Sequence, residues 1–245
     1  MTIRHFALAT TLIGAPVFAE DVSYSMGGEA LTGYWAAAEN SQGLVLIVHD
    51  WDGLTEYERK RADMLAEMGY DAFALDMFGN DTPTETVDHR RAATGALYDD
   101  RERMRALLQA GAAQARERSG AESMIVMGYC FGGAAALEMA RSDMADEASG
   151  YATFHGGLST PEGQSWGGDE PPLLVLHGGA DSSITLPNVA GFASELEQAG
   201  NTYTVEIYSG APHAFTVFGS DRYDARADAA SWQAFSAFLA ERTAE

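Results

Sequence analysis

The stretch MIVMGYCFGGAAALEMA, Met124 to Ala140, decides the fold. A mostly apolar run enters Gly128-Tyr129-Cys130-Phe131-Gly132-Gly133, and an alanine-rich segment of helical character follows at once. Strand, sharp Gly-x-nucleophile-x-Gly turn and helix together make a nucleophile elbow. Such a turn strains the backbone of its central residue, so the residues two before and two after it must be small. The geometry lifts the side chain of Cys130, the only cysteine of the 245-residue chain, above the sheet edge. There it meets the positive N-terminus of the following helix, where a thiolate is favoured. The Phe131 N–H is then free to stabilise an oxyanion. The competing reading is a buried cysteine that acts as a small hydrophobe in a glycine-rich bend.

Outward from this stretch, apolar runs alternate with helical patterns. Val22 to Glu39 alternates around Gly27-Gly28 and predicts an opening antiparallel hairpin. Gly43 to His49 predicts a strand covered on both faces, and Leu54, Tyr57, Arg61, Leu65 and Met68 a helix that ends at Gly69. Tyr70 to Asp76 is a strand, Met77 to about Val87 a long polar loop, and about Asp99 to Arg118 a helix. Strands at Gly150 to Gly156, Pro172 to Gly178 and Thr202 to Tyr208 follow, with helices at Asn188 to Gly200 and at Arg222 to about Arg242. The alternation predicts one α/β domain, residues 20–245, with a mostly parallel central sheet flanked by helices.

Composition excludes several classes of function. Apolar residues make up 46% and charged residues 21%, which suits an ordinary globular chain, and 36 acidic against 15 basic side chains give a formal charge of −21. That charge repels phosphate backbones and anionic membranes, so nucleic acid is not expected as a partner. Residues 1–19 read as an export signal: Arg4, the apolar Phe6 to Ile13, and the small-residue site at Val17 to Ala19, with cleavage after Ala19. The alternative is a surface-docked N-terminal segment. No other segment approaches the ~20 apolar residues of a membrane span. The expectation is a periplasmic or secreted monomer without stable membrane association once the signal is removed.

A thiol needs a base, and a base needs an orienting group. After Cys130, LVLHGGADSSI carries Asp181 and YSGAPHAF carries His213, each in a loop that follows a strand, where sheets of this kind assemble their sites. The order nucleophile, acid, histidine suits a hydrolase triad. With GYCFGG, HGGADSSI and APHAFTV at separations of 51 and 32 residues, the chain resembles the dienelactone hydrolase family of α/β-hydrolases over nearly its whole length. The resemblance implies the α/β-hydrolase fold, a Cys130/Asp181/His213 triad, and an ester, lactone or other small-molecule substrate. It implies an oxyanion hole from the backbone N–H groups of Trp51 and Phe131, and an acidic residue that holds the resting thiol. That acid is usually glutamate in the family, and here it is the shorter Asp50.

The resemblance also implies two arginines that grip a substrate carboxylate, but their places hold Asn80 and Val217. A neutral or hydrophobic ester, lactone or thioester is therefore expected, in a pocket formed by Phe78, Asn80, Phe215 and Val217 with Trp51 and Phe131 beside them; the alternative is that Arg90, Arg91 or Arg222 reaches into the site and replaces the clamp. His49, His155 and His177 end or follow strands near the same sheet edge. They lack H-E-x-x-H spacing or a close carboxylate pairing, so no metal and no other cofactor is expected; His49 or His155 would reach substrate instead. His89 reads as a solvated residue in a loop or helix start, and Arg101 to Arg105 as an exposed helix face. The alternative function is a non-catalytic binding or thiol redox-sensing protein on a hydrolase fold, with Cys130 as the reporter.

Overall fold

The computed structural model describes residues 18–244, so the signal segment lies outside the described residues except for Phe18 and Ala19. Strands β1 (Phe18–Met26) and β2 (Glu29–Ala37) form the opening antiparallel hairpin. Gly27 and Gly28 join them at φ of 60° and 91°, values that a side chain would resist. The hairpin begins four residues earlier than the alternation suggests, because Phe18 and Ala19 already pair with Ala37 and Ala36.

The remaining elements follow in chain order as β3 (Leu44–Val48), α1 (Glu56–Glu67), β4 (Asp71–Leu75), α2 (Val87–Asp99), α3 (Arg101–Ser119), β5 (Met124–Tyr129) and α4 (Phe131–Ala140). After them come β6 (Gly150–Phe154), β7 (Leu173–Gly178), α5 (Leu186–Ala199), β8 (Tyr203–Tyr208) and α6 (Ala225–Thr243). The eight strands form one sheet in the order β1-β2-β4-β3-β5-β6-β7-β8, parallel from β4 onward. Side chains alternate between its faces. Leu44, Leu46 and Val48 belong to the core that the sheet shares with α2, α3, α4 and α5 on one face, while Val45 and Ile47 belong to the core shared with α1 and α6 on the other. This is the expected mostly parallel, helix-flanked sheet.

Two readings need correction. Helix α2 occupies the region taken as the end of a loop and the approach to a helix, and only Ala93, Thr94 and Leu97 of it are buried. So short an apolar stripe, with Gly95 inside it, leaves little periodic signal. Asp100 ends α2 and caps α3, its carboxylate accepting the Arg103 N–H at 2.9 Å. The second correction concerns Arg101 and Arg105, which are not simply solvated: they reach the fully buried Glu138 of α4, at 3.3 and 2.6 Å, and Arg141 lies 3.6 Å from it. Arg61, on the stripe that includes Tyr57 and Leu65, is a buried cation of α1, 1% exposed.

Candidate active site

Residues at the carboxyl ends of β3, β5, β6, β7 and β8 converge on one edge of the sheet. Cys130 leaves β5 with φ of 48° and ψ of −107° and opens α4, the strained turn expected of an elbow. The flanking glycines have steric causes. A Cβ on Gly128 would lie 2.1 Å from the Gly132 carbonyl oxygen, and one on Gly132 would lie 2.1 Å from that of Val48. No side chain fits at either position.

The Cys130 sulfur lies 3.2 Å from His213 Nε2, and His213 Nδ1 lies 2.7 Å from Asp181 Oδ2. Asp181 Oδ1 accepts the backbone N–H groups of Ser183 and Ile184 at 2.8 and 2.9 Å, which fixes the carboxylate in its loop. Although burial works against it, hydrogen bonding from His213 and Ile184 leaves the Asp181 carboxyl below the usual range. An ionised Asp181 accepts a hydrogen bond from His213 Nδ1–H, which leaves the lone pair of Nε2 facing the thiol.

Asp50 competes for the same proton. Its carboxyl interacts with the Cys130 thiol as a hydrogen-bond acceptor, and one of its oxygens accepts the Trp51 N–H at 2.5 Å. Burial pushes Asp50 up to about 7, against the Trp51 hydrogen bond. Burial, and then the negative charge of Asp50, raise the Cys130 thiol well above its ordinary value. The resting nucleophile is therefore a thiol with two acceptors near it. Phe131 N–H points at the sulfur, whereas Trp51 N–H is held by Asp50.

A cavity of about 440 Å³ opens over the sulfur. Asp50, Trp51, Tyr98, Phe131, Ile184 and His213 line it, and so do Arg91 from α2 and Arg222 from the segment before α6. Of the predicted pocket residues, Trp51 and Phe131 line this cavity, whereas Phe78, Asn80, Phe215 and Val217 do not. Phe78 is buried against His49 and Phe131, Phe215 is fully buried against His155 and Tyr208, and Asn80 and Val217 face two neighbouring cavities. Counting forward from strand ends found the loops but not the directions of their side chains. The aromatic wall on this side is instead Tyr98, whose ring packs edge-on against Phe131 at 5.6 Å, and it comes from the helix that the periodicity did not reveal.

The histidines read as candidate contacts or strand-end groups have internal partners. His49 Nε2 accepts the Met77 N–H at 3.1 Å, which leaves the proton on Nδ1 to bond the Asp50 carbonyl at 2.6 Å. His177 Nε2 donates to the Ile184 carbonyl at 2.8 Å, and His155 Nε2 meets Thr216 Oγ1 at 2.9 Å. None of the three lines the cavity over Cys130. Among the described residues no group of three or more His, Cys, Asp and Glu is placed to hold a metal ion.

The fold agrees with comparison to known proteins. The family model for the dienelactone hydrolase family matches residues 31–243. The chain belongs to the dienelactone hydrolase family. That places it among the carboxylic ester hydrolases of α/β-hydrolase fold. A protein of Escherichia coli (strain K12), provisionally named carboxymethylenebutenolidase, is 25% identical over 248 residues, covering 92% of this chain and 89% of its own. Among solved structures, a dienelactone hydrolase-like promiscuous phosphotriesterase from metagenomic libraries superposes with a TM-score of 0.83 at 27% identity, over 93% of this chain and 99% of its own. An esterase from Thermogutta terrifontis shares the fold with a TM-score of 0.67 at 20% identity, over 95% of this chain and 96% of its own.

Proposed function

We propose that this family member cleaves esters, lactones or thioesters of small molecules through Cys130, His213 and Asp181, by way of an acyl-thioester intermediate. The observation that carries the reading is the unbroken line from sulfur to Nε2 at 3.2 Å and from Nδ1 to carboxylate at 2.7 Å, at the floor of an open cavity. His213 takes the thiol proton, and Asp181 stabilises the imidazolium so formed. The thiolate attacks the carbonyl carbon while Phe131 N–H, and Trp51 N–H once Asp50 releases it, hold the oxyanion. Each such donor typically contributes ~3 kcal/mol to the barrier. Collapse of the tetrahedral adduct expels the alkoxide or thiolate, which takes the proton from His213. Water, deprotonated in turn by His213, then cleaves the acyl-thioester and restores the thiol.

The expected preference for a neutral substrate rested on the absence of a cation. Arg91 and Arg222 on the cavity wall remove that premise, so the reading extends to esters that carry an acidic group. A redox-sensing role draws no support from the site, because oxidation proceeds through the thiolate and this thiol is raised well above its ordinary value. The export pattern of residues 1–19 supports work in the periplasm or outside the cell, which N-terminal sequencing of exported protein checks by finding Glu20 first. Catalysis is tested by turnover of an activated ester: wild type hydrolyses it, and Cys130→Ala, folded by circular dichroism, does not. Wild-type turnover by Cys130→Ala overturns the assignment.

A further inference from the structure

Three non-glycine residues among those described have φ in the left-handed region: Cys130 at 48°, Ala214 at 61° and His155 at 43°. Such conformations are costly and persist where the surroundings over-determine them, most often at functional sites. Cys130 is the elbow, and Ala214 directly follows His213. His155 has no place in the chemistry described above. It stands at the end of β6, the strand between those that deliver Cys130 and Asp181. Its side chain is fully buried, with its ring centroid 5.3 Å from that of His213 at an interplanar angle of 66°.

We propose that His155 and Thr216 are positioning residues that hold the His213 loop at the distance proton transfer from Cys130 requires; the inference rests on the triad reading above. Thr216, three residues after His213, is fully buried and is held from three directions. Its carbonyl accepts Arg61 Nη2 at 3.0 Å, its hydroxyl meets Tyr57 OH at 2.7 Å, and the same hydroxyl meets His155 Nε2 at 2.9 Å.

The direction of these bonds follows from the one member that can only donate. Arg61 Nε gives its hydrogen to Tyr57 OH at 3.3 Å, so Tyr57 gives its own to Thr216 Oγ1, and the same hydroxyl pairs with His155 Nε2. Full burial keeps His155 without charge. An uncharged neighbour suits His213, which must become cationic when it takes the thiol proton; a second imidazolium there would oppose that step. Arg61 is anchored in turn by an ion pair to Asp228 of α6, so the loop is tied through α1 to the closing helix.

The test is kinetic, on Thr216→Val, Thr216→Ser, His155→Phe and the Thr216→Val/His155→Phe double variant, with wild type as the control for the triad reading. A misplacement near 1 Å costs on the order of 10²-fold in rate. Thr216→Val and His155→Phe should each lower kcat by ~10- to 100-fold with KM within about twofold, as expected when the reacting geometry and not binding is lost. The double variant should be no slower than the worse single, since both break one linkage. Thr216→Ser, which keeps the hydroxyl, should stay within about threefold of wild type. Full kcat in folded Thr216→Val or His155→Phe, even with a lower melting temperature, overturns the inference, as do losses that multiply in the double variant. An inactive wild type overturns the triad reading instead.

Discussion

Arg222 is the one arginine among the described residues with no carboxylate within 4.0 Å, in a chain of formal charge −21. It lies on the wall of the catalytic cavity, as does Arg91, whose nearest carboxylate is that of Asp88 at 3.8 Å. An uncompensated cation there is available to an acidic group on the substrate. Arg222→Gln should lower kcat/KM for an ester bearing a carboxylate by roughly fivefold, the scale of one exposed ion pair, and leave a matched neutral ester unchanged. Equal losses on both esters would assign Arg222 to packing. Asp50 offers a second residue-scale test. Its charge helps hold the Cys130 thiol protonated, so Asp50→Asn should lower the thiol's titration midpoint and speed its alkylation by iodoacetamide at neutral pH. An unchanged alkylation rate would show that the carboxylate does not act on the sulfur.

At the scale of elements, α4 carries the most unusual arrangement. It is buried on every side, as its alanine-rich sequence requires, yet includes Glu138, whose carboxylate faces Arg101, Arg105 and Arg141 and accepts hydrogen bonds from the Gln164 amide nitrogen at 2.8 and 3.0 Å. Glu138→Gln leaves three guanidinium groups around a neutral amide. Because Arg101 and Arg105 keep partial contact with water, the loss should fall at the low end for a broken buried pair, about 3 kcal/mol by urea unfolding. A loss below about 1 kcal/mol would show that water replaces the carboxylate.

Glu138 and Arg61 also mark what the sequence leaves illegible. Gly128-x-Cys130-x-Gly132 is legible because sterics allow one solution there, and β3, β5 and β7 because continuous apolar runs admit little but buried strands. Helix α2 was not, since its buried stripe is three residues long, and with it went Tyr98 as part of the cavity wall. Ion pairs between distant helices, such as Arg105 with Glu138, leave no local periodicity to read.

For the whole molecule, buried carboxylates set a pH dependence of stability. Burial raises both Asp50 and Glu58 to about 7. The folded protein thus keeps protons that the unfolded chain releases near pH 4, and these two groups lower stability progressively as pH rises from about 4 to about 7. Glu58→Gln keeps an acceptor oxygen for the Thr55 cap and removes one of the two charges, so its urea midpoint should fall less than that of wild type over this interval. An identical slope would mean that Glu58 is not the titrating group. The central claim, however, is that this sheet edge delivers Cys130 to an acyl group under the control of His213. Rapid quenching of the wild-type protein with an activated ester, followed by peptide mass spectrometry, tests it directly. The account predicts an acyl adduct on the peptide containing Cys130 that forms and decays within turnover. Turnover that leaves this peptide unmodified, or an adduct on another residue that persists in Cys130→Ala, would contradict it.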